Sequence, residues 1–474
     1  MEKSSGVATD STSKEAVCDN HFHNQWGEKE EKPEKEGNSL LVLKRLKRQV
    51  GGSCVIVVDH PNGTSDSKPA ADAITATSNF SQAVFNCTSL LLGLGLLSSP
   101  YAMAQTGWLG AVICIVMAAA NVYTALLLMR CQQRTGYGTY QELAQASVGR
   151  ILCVIIEALF YLEVTGSLLG YCISIADNLG QLFPSSVVSL PGLSFQNILL
   201  LIACICVLPT VWLRDLSGLS FTSLWSVAAA ILLVIVVFAS AFVDHIGFHH
   251  SIPLANIRGA PIAAGLYAFA FSGTTCFPNI YSSMKDPSKF PQVLFVSFSI
   301  TTFFIFGLGV AGSTMFGRAT ASQITLSMPA HRITTRIVLW ATVLTPLLKF
   351  ALVLAPVSEA MDASLQKRFG NYTERIQMII RTTARSGVLA IIVIVAILLP
   401  YFNYVIALIG SFVAISICLI FPSYFYIKLC RDELTRCSIV LISLTFLFAT
   451  IAGVCGTILS FQGLIESRRH HSTS

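Results

Sequence analysis

The sequence predicts an all-α polytopic membrane protein with about eleven transmembrane helices, two of them interrupted. Hydrophobic residues make up 53% of the 474-residue chain and charged residues only 12%, whereas soluble domains average about 25% charged residues. The charges are also segregated, because residues 1–70 are highly polar while long stretches further on carry no charge. In addition, two of the apolar stretches contain Gly and Pro near their centres, where both residues weaken a helix.

Residues 1–70 are predicted to form a disordered cytoplasmic tail. They are rich in Glu, Lys, Ser and Gly, and they lack the short apolar core of a signal peptide. A basic cluster lies within the tail in the stretch LVLKRLKRQV. This cluster could contact an anionic membrane surface, but a solvated run of charge is the simpler interpretation.

The transmembrane domain is predicted over residues 79–462. A helix needs about 20 mostly apolar residues to cross a bilayer, and eleven stretches approach this length. Their approximate limits are 79–104, 108–130, 151–180, 194–213, 219–243, 260–284, 290–313, 333–356, 386–400, 402–427 and 437–462. The ninth is short, and only Pro400 separates it from the tenth, so the pattern is also compatible with ten or twelve spans.

Lysine and arginine in the loops predict the orientation, because cytoplasmic loops carry an excess of these residues. If the N-terminus is cytoplasmic, the loops on that side hold fourteen Lys and Arg residues, from Arg130 to Arg436, and the opposite side holds six. The distribution therefore favours a cytoplasmic N-terminus.

The two interrupted spans occupy corresponding positions. Span one contains Gly93 and Gly95 in LLGLGLLSSPYAMAQTGWLG, and span six contains Ser272–Gly273 and Pro278 in AFAFSGTTCFPNIYSSM. Spans one to five cover 79–243 and spans six to ten cover 260–427, which are similar lengths, leaving 437–462 as an extra helix. Paired broken helices in two inverted halves are typical of secondary transporters. The alternative is that the small residues serve only close helix packing.

The breaks predict a binding site for a zwitterion. At the first break, the amides near Gly93, Leu94 and Gly95 and the positive end of a half-helix starting near Leu96 favour a carboxylate. At the second break, the predicted contacts are Phe271, Ser272, Gly273 and Thr274, where freed carbonyls could hold an amino group. An amino acid has this polarity at both ends.

Several stretches resemble the plant vacuolar-type branch of the amino acid/auxin permease family. They are FNCTSLLLGLGLLSSPYAMAQTGW, IADNLGQLFP, FPNIYSSMKDPSKFPQVL, TPLLKFALVLAP and YFNYVIALIGSFVAI. The resemblance implies eleven helices, a five-plus-five inverted repeat and proton-coupled amino acid movement across a vacuolar or plasma membrane. One departure concerns the second break, where many relatives have Gly-His and this chain has Gly273–Thr274. A proton role for that position is therefore in doubt.

Ionisable residues at membrane depth are functional candidates because burying a charge is costly. Lys349 in span eight could replace a bound cation or release its proton during a transport cycle. Glu163 in span three is the second candidate for coupling. Asn86 in span one, expected near Lys349, is the third, and its alternative role is an interhelical hydrogen bond. Asp177 is expected at the end of span three, where capping a helix is the alternative role.

The sequence favours a transporter over an enzyme. An HxxxHH pattern at His245, His249 and His250 is similar to the histidine boxes of membrane desaturases, but no second box accompanies it in the membrane, so a solvated loop is expected. We predict no metal site, cofactor or nucleic-acid partner. The expected partners are an amino acid, protons and the lipid bilayer. A receptor that keeps the transporter fold without transporting stays an open alternative.

Overall fold

The computed structural model describes residues 78–183, 195–212, 219–243, 246–369 and 372–473. Within these ranges the protein is helical, and its only β pairing is an isolated bridge between Ser78 and Met284. The predicted tail of residues 1–70 and His245 of the HxxxHH pattern lie outside the described residues.

The first predicted half contains seven α-helices. Their bounds are α1 Phe80–Leu91, α2 Leu94–Thr106, α3 Trp108–Thr135, α4 Tyr140–Ser147, α5 Arg150–Leu182, α6 Phe195–Trp212 and α7 Leu219–Val243. Helices α1 and α2 are the two parts of span one and meet at a bend of 56°. The short helix α4 lies between spans two and three, and its N-cap Thr139 accepts a hydrogen bond from the Glu142 amide.

The remainder contains nine α-helices. Their bounds are α8 Ala260–Ala270, α9 Phe277–Ser283, α10 Phe290–Phe316, α11 Ile324–Ser327, α12 Ile333–Phe369, α13 Glu374–Leu398, α14 Phe402–Ile409, α15 Phe421–Leu429 and α16 Arg436–Thr473. Helices α8 and α9 are the two parts of span six. Two π-helical segments, Gly410–Ala414 and Ser416–Ile420, connect α14 to α15 within span ten.

The described residues contain nine helices long and apolar enough to cross a membrane, and the bent pair α1–α2 makes a tenth. The protein is therefore an all-α polytopic membrane protein, as predicted. The predicted span four corresponds to α6, whose apolar part, Phe195–Pro209, is shorter than the others. A count of eleven depends on α6 crossing, and both that count and the inverted repeat remain predictions.

The ninth span begins earlier than predicted. We expected it at 386–400, but α13 starts at Glu374. Its first turns are helical although they carry several charges. The boundary with span ten is correct, since α13 ends at Leu398 and α14 starts at Phe402. Pro400 lies in this gap and lacks the N–H that would continue a helix.

The start of span one and the end of span six meet on one side of the protein. The Ser78 amide donates to the Ser283 carbonyl and the Lys285 amide donates to the Ser78 carbonyl, both at 3.0 Å. These bonds join the start of span one to the end of span six. We call this side the Ser78 face. The opposite side, where α5 ends at Leu182 and α12 begins, is the Leu182 face.

Candidate functional site

The first break lies between Leu91 and Leu94, so only Leu92 and Gly93 are outside the two helices. We expected the second half-helix to start near Leu96, whereas it starts at Leu94. Leu94, Gly95 and Leu96 therefore form its first turn, and Leu92, which was not among the predicted residues, belongs to the break with Gly93. First-turn amides have no acceptor within their own helix. Binding of a carboxylate by these amides stays a prediction.

Pro100 lies inside α2 without breaking it. A proline has no N–H, so the Leu96 carbonyl loses the donor it would have in a regular helix. The Ser99 hydroxyl donates to that carbonyl at 2.9 Å instead. The interruption of span one is therefore caused by the glycine region and not by the proline.

The two glycines of span one have different surroundings. A Cβ atom added to Gly95 would overlap with Ala270, the last residue of α8, whereas a Cβ added to Gly93 would meet nothing within 4 Å. The absence of a side chain at Gly95 allows the two interrupted spans to approach each other closely. Gly93 faces open space, so its backbone is the more accessible of the two.

Lys349 contacts the end of α1. Its Nζ atom donates to the Ser89 carbonyl at 3.1 Å, and the side chain is only 8% exposed. Ser89 lies in the last turn of α1, where carbonyls lack intrahelical donors and the helix dipole is negative. Among the described residues no carboxylate forms an ion pair with Lys349. The ammonium group therefore neutralises a helix end at the first break.

Asn86 lies on α1, three residues before Ser89, which places both on one side of the helix. Its side chain is half-buried. No hydrogen bond joins Asn86 to Lys349 in the part of the chain that the structure describes. The structure thus brings Lys349 to the first break and leaves Asn86 one turn away from the contact.

The second break covers Phe271, Ser272 and Gly273, followed by a 3₁₀ turn at Thr274–Cys276. Phe271 is fully buried, and its ring stacks on Phe298 at a centroid distance of 6.0 Å. Pro278 is the second residue of α9, a position where its missing N–H costs little. All four residues that the sequence assigned to this break are therefore in or next to non-helical backbone.

Two polar side chains at the second break are buried. The Thr274 hydroxyl is fully buried and has no hydrogen-bond partner among the described residues. Glu163 of α5 is 8% exposed, and its carboxyl group lies beside the Ser272 side chain. A buried hydroxyl without a partner costs about 1–3 kcal/mol, and the Cys418 thiol beside Thr274 is only a weak hydrogen-bonding group.

Span ten contributes contacts that the sequence analysis missed. The Tyr140 hydroxyl of α4 donates at 2.8 Å to the Ile417 carbonyl in the π-helical part of span ten. The thiol of Cys418 lies beside Thr274 and the backbone of Gly273. A π-helical turn has no distinct hydrophobic pattern, so the sequence carried no signal for it. The glycine of the IALIGS stretch, Gly410, is the only local hint.

The site therefore combines opposite features at its two breaks. The first break offers a lysine ammonium and first-turn amides, which suit an anionic group. The second break offers a carboxyl group and an unpartnered hydroxyl. Among the described residues no group of three or more His, Cys, Asp and Glu side chains could hold a metal ion.

Fold and site together define a polytopic membrane protein with two interrupted helices around a polar centre. The chain belongs to the family described as transmembrane amino acid transporter protein, whose family model matches residues 76–466. This confirms the resemblance inferred from the sequence.

Three similar proteins illustrate the family. Amino acid transporter AVT1E of Arabidopsis thaliana is 39% identical over 390 residues, covering 81% of this chain and 73% of the relative. Amino acid transporter AVT1D is 39% identical, with coverages of 80% and 69%. Amino acid transporter AVT1H is 36% identical and covers 81% and 91%. Each relative is named as a transporter.

A solved structure of a Na+-coupled sialic acid symporter, in a substrate-bound outward-open state, is also similar. It matches with a TM-score of 0.46 and 12% sequence identity, covering 80% of this chain and 89% of that chain.

Proposed function

We propose that this protein is a secondary active transporter that moves neutral amino acids across a membrane by alternating access, coupled to protons. Its membership of an amino acid transporter family supports the substrate class. The relatives AVT1E and AVT1D are named as amino acid transporters. We infer that the substrate site is the space between the two breaks.

The observation that carries the proposal is the close approach of the two interrupted spans. Gly95 of α2 abuts Ala270 at the end of α8, so the breaks at Gly93 and at Ser272 lie next to the same helix contact. Non-helical backbone at membrane depth is tolerated where it is buried or lines a cavity. An amino acid bound there would direct its carboxylate to the first-turn amides of α2 and its ammonium group to the second break.

Charge at the two breaks supports this orientation of the substrate. Lys349 at the Ser89 carbonyl makes the first break more positive. Glu163 beside Ser272 makes the second break negative when it is ionised. The opposite orientation would place each charged end of the substrate beside a like charge. Neutral amino acids fit best, because no other described residue at either break carries a charge that could pair with a charged side chain of the substrate.

Glu163 and Lys349 are the proposed coupling residues. Each is buried, and each contacts a helix interruption and not an oppositely charged side chain. A proton on Glu163 would remove the negative charge from the second break, so protonation and binding of an ammonium group there would compete. Thr274 at the second break cannot titrate near neutral pH.

The loops that carry most of the lysine and arginine residues lie on the Ser78 face, which we infer to be cytoplasmic. Under this assignment the Leu182 face is directed to the vacuolar lumen or to the cell exterior. The second candidate function is an amino acid receptor that binds at the same breaks without transport.

The deciding experiment is uptake into proteoliposomes that contain the purified protein. Labelled amino acids from a panel are offered with and without an imposed pH gradient. We expect concentrative uptake of neutral amino acids that depends on the gradient. Binding without accumulation would support the receptor, and accumulation that ignores the pH gradient would contradict proton coupling.

A further inference from the structure

A polar network outside the proposed substrate site joins α5 to the loop helix α11. Gln323, the residue before α11, donates from Nε2 to the Asp177 carboxylate at 2.9 Å. Its Oε1 atom accepts from the Ser174 hydroxyl at 2.6 Å and from the Asn178 amide at 3.0 Å. Gln323 is fully buried. One glutamine side chain therefore connects three residues of α5 to the loop.

The network extends to α11 itself and to α12. The Asn178 Oδ1 atom accepts from the Thr325 hydroxyl at 2.6 Å and from the Thr342 hydroxyl at 3.4 Å. At the other end of α11, the Gln181 amide donates to the Met328 carbonyl at 3.4 Å. Both ends of α11 are thus bonded to the last turns of α5.

Helix α11 also contacts the second half of span one. The Ile324 side chain is fully buried and converges with Pro100 of α2 at Gly312 of α10. Thr342 precedes Lys349 on α12 by seven residues, which corresponds to about 10 Å along a helix. The network therefore lies between the proposed substrate site and the Leu182 face, with α11 covering α2 and α5.

Asp177 is the charged member of this network. Its hydrogen-bond donor is a neutral amide, and no described cation forms an ion pair with it. Helices α6 and α11 and residues 183–194 contain no Asp, Glu, Lys, Arg or His. The charged and titratable side chains of the neighbouring segments on this face are exposed or lie outside this network: His249, His250, Arg318, His331, Arg332 and Arg336.

We propose that Asp177 is a proton-responsive positioning residue that holds α11 over the Leu182 face. An ionised carboxylate accepts a charge-assisted hydrogen bond from Gln323, which is roughly twice as strong as the neutral bond left after protonation. Deprotonation therefore fastens α11 to α5, and protonation from the Leu182 side loosens it. The consequence for transport, which rests on the proposed function, is that acid on this side favours opening of the substrate site towards it.

Hydrogen exchange of the full-length protein in lipid nanodiscs tests this inference without substrate or gradient. The measured segment is residues 320–328, compared at acidic and neutral pH after correction for the intrinsic exchange rate. We expect the wild-type segment to exchange about five-fold faster at acidic pH, in line with loss of a charge-assisted bond. Asp177→Asn should exchange at the faster rate at both pH values.

Two further variants keep the test decisive. Asp177→Glu retains a carboxylate and should retain the pH response, which separates the charge from general disruption of the fold. His331→Gln removes the titratable side chain nearest to α11 in sequence and should behave as wild type. A pH response that persists in Asp177→Asn, or that disappears in His331→Gln, overturns the proposal.

This experiment is independent of the proposed transport activity. If the exchange result is as expected but no amino acid is accumulated in proteoliposomes, the proposed role of Asp177 stands and the transporter proposal fails. If uptake occurs but residues 320–328 exchange at the same corrected rate at both pH values, the transporter proposal stands and the role of Asp177 is wrong.

Discussion

The two breaks differ in what surrounds them. At the first break, Gly93 borders open space and the nearest charged group is the Lys349 ammonium on the Ser89 carbonyl. At the second break, the side chains of Phe271 and Thr274 are fully buried, the Glu163 carboxyl group lies beside Ser272, and the Thr274 hydroxyl has no hydrogen-bond partner among the described residues. The first break is thus positive, and the second is able to carry negative charge.

This difference shows how one pair of interruptions can orient a substrate. Two identical breaks would bind a zwitterion in either direction. Breaks of opposite charge favour one direction, because each end of the ligand meets a like charge when it is reversed. The asymmetry also separates the tasks, since substitutions at the first break should affect carboxylate binding and those at the second should affect the amino group and the proton.

The largest effect is expected at the contact between the breaks. Gly95→Val should abolish uptake, because its side chain would overlap with Ala270 and separate the two spans. Overpacking of this kind costs about 1–3 kcal/mol, so the protein should still reach the membrane. Uptake is measured in proteoliposomes, and size-exclusion chromatography checks folding. Normal affinity in this variant would contradict the proposed site.

Gly93→Ala sharpens the same comparison. A methyl group at Gly93 meets nothing within 4 Å, so folding should be unaffected. If the backbone there contacts substrate, the half-saturation concentration should rise several-fold with little change in maximal rate. Gly307→Ala in α10 is the matched control, because a Cβ at Gly307 also meets nothing within 4 Å. Equal behaviour of the two variants would remove Gly93 from the site.

Lys349→Met tests the charge at the first break. Loss of the ammonium group leaves the end of α1 without its cation, so concentrative uptake should fall by at least about ten-fold, given that hydrogen bonds to charged groups contribute about 1.5–3 kcal/mol. Exchange of labelled for unlabelled substrate should survive. Lys428→Met, at an exposed position at the end of α15, is the control. Unchanged gradient-driven uptake would mean that Lys349 serves only packing.

Glu163→Gln tests the charge at the second break. Glutamine imitates the protonated carboxyl group and cannot release a proton. We expect gradient-driven uptake to lose its dependence on pH, whereas exchange at acidic pH should change little. Glu157→Gln on the same helix is the control, because Glu157 lies six residues earlier on α5 and away from the break. If Glu163→Gln keeps the wild-type pH profile, the proton is carried elsewhere.

Much of the fold could be predicted from the sequence because membrane helices and their interruptions have local causes. Apolar length defines a span, and the glycines at 93 and 273 interrupt one. The predicted helix limits were wrong at two places. Helix α13 starts in charged residues because helices extend beyond the bilayer, and α2 starts at Leu94 because the two residues Leu92 and Gly93 suffice for the turn.

The contacts of the site could be predicted less well. Residue Lys349 was identified from its isolation in an apolar span, but its partner is a backbone carbonyl 260 positions earlier in the chain. No side-chain pattern marks a carbonyl. The same holds for Tyr140 and Ile417, whose contact depends on a π-helical turn. The Asp177–Gln323 bond joins two ordinary polar residues that only the packed structure brings together.

The smallest effect is expected at Thr274. Its hydroxyl is fully buried without a partner among the described residues, so it is not engaged by its own helix. If the hydroxyl binds substrate, Thr274→Val should raise the half-saturation concentration about two- to ten-fold, as expected for loss of one neutral hydrogen bond. Maximal rate and expression should be unchanged, because valine has nearly the same shape.

Thr301→Val is the matched control for this prediction. Thr301 of α10 is also fully buried with an unpartnered hydroxyl, but it is not part of a break. A comparable effect of both variants would indicate a structural role for Thr274. Thr274→His adds a side chain that titrates near pH 6.5 when unperturbed, so a new pH dependence should appear near neutral pH. If the wild type already shows a titration that only Thr274 variants remove, then the proton is handled at the second break by a route other than Glu163.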